Sequence, residues 1–97
     1  MNLGSAIREL RKNKGLSQVE LAEKANLSQT ALSQIEKGKR PGIQTLKNIS
    51  TALEVPESLI YVMGIEQDDV PPAKQVLYEK LFPVIKGLVI QIATAEE

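Results

Sequence analysis

The stretch Asn26–Lys39, NLSQTALSQIEKGK, decides how the chain is read. Wound as a helix from Ser28 at about 100° per residue, it gathers Leu32, Ile35 and Ala31 on one side, the pattern of a face packed on a core. The opposite arc holds Gln29, Ser33, Lys37, Thr30 and Gln34. All of these except Lys37 are neutral hydrogen-bonding side chains, although Glu and Lys would favour both helix and solubility more than Ser and Thr do. A face that avoids the usual solvent-facing residues implies contact with something other than water.

Working outward, Ser17 followed three residues later by Glu20 is a capping box, and Leu16 with Leu21 has the spacing of a hydrophobic staple. Ser28 repeats the cap, with Leu27 and Leu32 as its staple pair. The signals predict helices over Gln18–Ala25 and Ser28–Lys37, joined only by Asn26 and Leu27. Such a tight joint needs a small residue at the crossing, supplied by Ala22, and a residue that tolerates a left-handed backbone, supplied by Asn26. The pair is a helix-turn-helix. Before it, Leu3, Ile7 and Leu10 line one side of a first helix, with Lys14 in its last turn and Gly15 as a left-handed stop. After it, Gly38 ends the third helix and Pro41-Gly42 resets the chain. Ile43, Leu46, Ile49 and Leu53 form the stripe of a fourth helix. Pro56 starts a fifth, with Leu59, Ile60 and Met63 inward and Gly64 closing it.

Across Leu3–Gly64, about two-thirds of the 97 residues, the sequence resembles the lambda-repressor-like, Cro and phage-repressor (XRE-type) family of DNA-binding domains. The residues that carry the resemblance are LSQVELAEKANLSQTALSQIEKGKRPGIQTLKNISTALEVP, Leu16–Pro56. The resemblance implies an all-α, five-helix domain whose third helix lies in the major groove of double-stranded DNA. It makes Gln29, Thr30, Ser33 and Gln34 the base-reading residues, because Gln can bond both N6 and N7 of adenine while Ser and Thr serve several bases. Phosphate contacts are expected from Gln18 beside the free amides opening the second helix, from Lys37, Lys39 and Arg40, from Gln44, and from Arg11. The resemblance also pairs Arg11 with Glu36 in a partly buried ion pair tying the first helix to the third. Two departures matter: the family often carries glycine where this chain has Asn26 and Glu54, and Glu54 is strained by about 1 kcal/mol if it must be left-handed. A serine cap is also common where Pro56 stands.

Composition agrees with this scheme. Hydrophobic residues make up 42% and aromatics 3%, so a small core must be built of Leu, Ile, Val and Ala. The formal charge of zero conceals an asymmetry: residues 1–64 hold nine basic and six acidic residues, and residues 65–97 hold three and six. A basic unit is therefore joined to an acidic one. Without Cys or His, and with no Gly-rich phosphate loop, the chain offers little for nucleophilic or acid–base catalysis, so no enzyme, cofactor or metal site is expected. No leader or membrane-length apolar run is seen, which points to a cytoplasmic protein of a bacterium or phage.

Residues 65–97 lie beyond the resemblance. IEQDDVPP, Ile65–Pro72, reads as an acidic, proline-punctuated linker between a DNA-binding domain at 1–64 and a C-terminal segment at 73–97. In that segment Leu77, Leu81, Ile85 (or Val84), Leu88 and Ile92 recur every three or four residues, and Pro83 should kink or split the helix into pieces near 72–82 and 83–95. A strand through GLVIQIA is the rival reading, since Leu88, Ile90 and Ile92 also alternate. So apolar a segment either folds back on the domain or packs on a second copy. Self-association is favoured, with Leu77, Leu81, Ile85, Leu88 and Ile92 as the seam of a homodimer that would bind a two-fold operator. The function expected is a homodimeric transcriptional repressor. The alternative is an antitoxin-like interaction module whose C-terminal segment binds a partner protein.

Overall fold

A computed structural model describes residues 1–96. The chain runs α1 (Leu3–Asn13), α2 (Gln18–Lys24), α3 (Gln29–Glu36), α4 (Ile43–Leu53), α5 (Glu57–Met63) and α6 (Gln75–Thr94), with two single 3₁₀ turns, Gln67–Asp69 and Pro72–Lys74, between α5 and α6. No strand occurs among the described residues, so the strand reading of 84–93 is overturned: those residues are helical. No described helix is long and apolar enough to cross a membrane.

The helices begin and end where side-chain chemistry says they should. Ser17 accepts from the Glu20 amide at 3.0 Å while the Glu20 carboxylate accepts from the Ser17 amide at 3.0 Å. Hydrogen bonding of the Glu20 carboxylate by the Ser17 amide, and after it by the Ser17 side chain, holds that carboxyl below its ordinary pKa. Ser28 caps α3 by accepting from the Ala31 amide, and Asn2, which the sequence reading passed over, caps α1 by accepting from the Ser5 amide. Asn26 and Glu54 both take left-handed backbones at φ 58°, so the strain expected at Glu54 is present.

Ile7, Leu10, Leu21, Leu32, Ile49, Leu53 and Ile60 are fully buried, and the five short helices meet around them. Gly4 allows the closest approach. A Cβ there would lie 2.1 Å from the Ile35 carbonyl oxygen, so only glycine lets α1 cross the end of α3. One expected core residue is misplaced: Ile43 is 89% exposed. The buried stripe of α4 runs through Leu46, Ile49, Ser50 and Leu53, and Ile43 sits at its edge in the first turn, where none of the described residues covers it.

The expected split at Pro83, into helices near 72–82 and 83–95, does not occur. α6 is one helix of 20 residues with Pro83 inside it. Pro83 and Glu79, whose carbonyl loses its partner, are both exposed, so water can satisfy the orphaned group. Packing anchors both halves, through Phe82 on one side of the proline and Val89 and Ala93 on the other. Polar ties reinforce the seat of α6 on α1 and α5: the Tyr78 hydroxyl donates to the Ile65 carbonyl at 2.8 Å, Lys86 pairs with Glu9 at 2.7 Å, and Lys14 donates to the Ala93 carbonyl at 2.9 Å. Tyr78 also stacks on Phe82 with ring centroids 4.8 Å apart, and burial pushes its hydroxyl pKa up.

Candidate nucleic-acid interface

Leu32 and Ile35 are buried, and this fixes the rotation of α3. Gln29, Thr30 and Gln34 are exposed and Ser33 is partly so, which brings the four expected base-reading residues onto one outward surface. The large hydrophobic residues of this helix, Leu32 and Ile35, both face inward. Lys37 caps the C-terminal end of α3, and exposed Lys39 and Arg40 follow in the loop to α4. Exposed Gln44 lies in the first turn of α4 and donates to the Asn48 side chain at 2.9 Å.

Arg11 and Glu36 meet as the resemblance implied. Arg11 Nε donates to Glu36 Oε2 at 2.8 Å and Nη2 donates to Oε1 at 3.1 Å, a two-pronged contact, while Nη1 donates to the Leu16 carbonyl at 2.9 Å. The side chains retain only 9% and 3% of their exposure. Gln18 Nε2 adds a third bond to the carboxylate, reaching Oε1 at 3.1 Å. One buried carboxylate thus ties together α1, the start of α2 and the end of α3. Of the two roles expected for Arg11, the geometry serves the ion pair, since the guanidinium is turned inward and spends a donor from each of its three nitrogens within the chain.

A model of the helix-turn-helix family HTH_3 matches residues 7–60. The chain belongs to that family. Curated relatives match over 55 to 81 residues. The chain is 43% identical over 61 residues to the immunity repressor protein of Bacillus phage phi105, covering 62% of this chain and 42% of that one. It is 44% identical over 55 residues to the HTH-type transcriptional regulator SinR of Bacillus subtilis, covering 55% of this chain and 50% of SinR. With the regulator SlrR of the same organism it shares 36% over 81 residues, 81% of this chain and 47% of SlrR. The chain therefore spans about half the length of the relatives it matches. No solved structure matches it significantly.

One further feature of this helix-turn-helix unit goes beyond the sequence reading. Beside the outward face of α3, Arg8, Arg11, Gln18, Ser33, Glu36 and Lys37 border a hollow of about 170 Å³. Arg8 is exposed there. The available signal was its position three residues before Arg11, on the same side of α1. On α6 the expected seam residues Leu77, Leu81, Ile85, Leu88 and Ile92 are 41–60% exposed, joined by Val84 at 61%. The sequence posed folding back and self-association as alternatives. The structure shows the fold-back, made by the Phe82, Val89 and Ala93 side, and leaves the Leu/Ile side of the same helix uncovered.

Proposed function

We propose that the chain is a sequence-specific, double-stranded DNA-binding transcriptional regulator that acts in the cytoplasm as a homodimeric repressor. The observation that carries this reading is the outward amide-and-hydroxyl face of α3, held in place by the buried Leu32 and Ile35. In the major groove Gln29 and Gln34 would each favour adenine through a two-ended amide, with Thr30 and Ser33 contacting neighbouring edges. Lys39, Arg40 and Gln44 follow α3 in the chain and are assigned to the passing backbone, as are Lys37 and Gln18, which border one hollow, with Gln18 steadied by Glu36. Arg11 is assigned an indirect part: it neutralises Glu36 and holds α1, α2 and α3 in one register. The repressor sign is taken from the immunity repressor of phage phi105, to which the chain is similar.

Dimerisation is proposed through the Leu77, Leu81, Ile85, Leu88 and Ile92 stripe. A contiguous apolar row of this length is unlike the scattered exposed leucines of ordinary surfaces. A two-fold pair of chains would set two reading helices about 34 Å apart, one turn of DNA. Selection of bound duplexes from a random pool tests the whole reading. Enrichment of a two-fold sequence with half-sites spaced by about one helical turn is expected, and a pool from which nothing is enriched would contradict it.

A further inference from the structure

We infer that Arg8 and Lys37 form a seat for one DNA backbone phosphate in the hollow beside Ser33, a contact from α1 that adds to those made by the helix-turn-helix itself. The inference rests on the DNA-binding reading above and specifies where the backbone is held.

Charge distribution around the hollow argues for an anion. Its rim carries three cationic side chains and one carboxylate. Glu36 is fully engaged: Oε1 accepts from Arg11 Nη2 and Gln18 Nε2, and Oε2 accepts from Arg11 Nε. The Arg11 charge is cancelled by that contact, and both groups are almost wholly buried. What remains facing solvent is Arg8 from α1 and Lys37 from the end of α3, both exposed and neither ion-paired among the described residues. Two unpaired cations contributed by different helices to one concavity leave a local positive potential that a phosphate would satisfy.

Size and position narrow the occupant. Sites for drug-sized ligands occupy about 300–1,000 Å³, whereas this hollow is about 170 Å³ and suits a single small anionic group. Ser33 belongs both to its rim and to the outward face of α3, so an anion seated here lies immediately beside the surface assigned to base edges. That is where the sugar-phosphate backbone bordering a major groove runs. The seat is also rigidly placed, because Arg11, one turn after Arg8 on the same side of α1, is locked to α3 through Glu36.

The test uses the full chain and its selected duplex, with affinity measured between about 50 and 200 mM salt for the wild type, Arg8→Ala, Arg8→Lys and Lys47→Ala. Lys47 is an exposed lysine of α4 that does not border the hollow. Arg8→Ala is expected to weaken binding about three- to tenfold at the low-salt end and to flatten the slope of log K against log salt by about 0.9 for each bound copy. The loss should be equal on the selected and a scrambled duplex, and the enriched sequence should not change. Arg8→Lys should restore most of the slope, and Lys47→Ala should leave it as in the wild type. A wild-type slope for Arg8→Ala, or an equal flattening by Lys47→Ala, overturns the inference while leaving the DNA-binding reading intact. A wild type that enriches no duplex overturns both. Should Arg8→Ala unfold, Arg8→Gln, which keeps part of the aliphatic stem and a polar end but removes the charge, is held to the same slope criterion.

Discussion

Helices α3 and α6 solve the same packing problem and present opposite outward faces. Each buries an apolar back, Leu32 and Ile35 in one and Phe82, Val89 and Ala93 in the other. α3 then shows Gln29, Thr30 and Gln34 to solvent, whereas α6 shows Leu77, Leu81, Ile85, Leu88 and Ile92. Burial therefore explains neither outward face. The α3 face matches a partner rich in directional donors and acceptors, as base edges are. The α6 face matches a partner that is itself apolar, and a second α6 supplies one with the same three- and four-residue spacing. Under the proposed function the two helices take different partners.

That contrast can be broken or sharpened by substitution, ranked here by the effect on fold stability. Arg11→Ala should have the largest effect, because it strands the buried Glu36 carboxylate: a loss of about 3–5 kcal/mol, read by urea unfolding, with DNA binding lost as α3 slips from its register. If the loss were below 1 kcal/mol, Glu36 would have to find water, and the tie between α1 and α3 would be weaker than its geometry implies. Gly4→Ala should cost about 1–3 kcal/mol, since the new methyl meets the Ile35 backbone carbonyl rather than a side chain that can swing aside. Glu54→Gly should act in the other direction, stabilising by about 1 kcal/mol through relief of a left-handed non-glycine backbone. Smallest in stability is Leu81→Glu combined with Leu88→Glu, within about 0.5 kcal/mol for the folded monomer. Its effect lies in assembly: sedimentation should show monomers where the wild type forms dimers, and affinity for a two-fold site should fall to that of a half-site. A wild type that sediments as a monomer, or that recovers as a one-to-one complex with a different protein, would remove the homodimer and favour a partner-binding role for α6.

Much of this was legible before any coordinates because helix ends are local events. Ser17 with Glu20, Ser28, Gly15, Gly38 and Asn26 mark boundaries through bonds and backbone angles spanning a few residues, and each sits where those signals placed it. Tertiary choices were less legible. Pro83 reads as a break because its cost is local, but Phe82, Val89 and Ala93 are buried on either side of it and the chain stays helical through it. Ile43 was assigned inward by spacing alone, which says nothing about whether a neighbour reaches the first turn of α4. The role of Gly4 depends on a carbonyl 31 residues away, and Arg8 gains meaning only when Gln18, Ser33 and Lys37 are brought round it. For α6, both faces are apolar, so periodicity could not assign one to the domain and one to solvent. In the candidate interface, outward placement of Gln29, Thr30, Ser33 and Gln34 followed from the Leu32–Ile35 back. Their use on DNA is the part that remains a proposal.

The most direct measurement of that part is duplex selection repeated with Gln29→Ala combined with Gln34→Ala. The account predicts a folded protein, since both residues are exposed, that still binds DNA in a salt-dependent way. Its enriched sequence should lose the base preferences set by the two amides, each worth about 1–3 kcal/mol at its base pair. Recovery of the wild-type sequence at undiminished strength would contradict it.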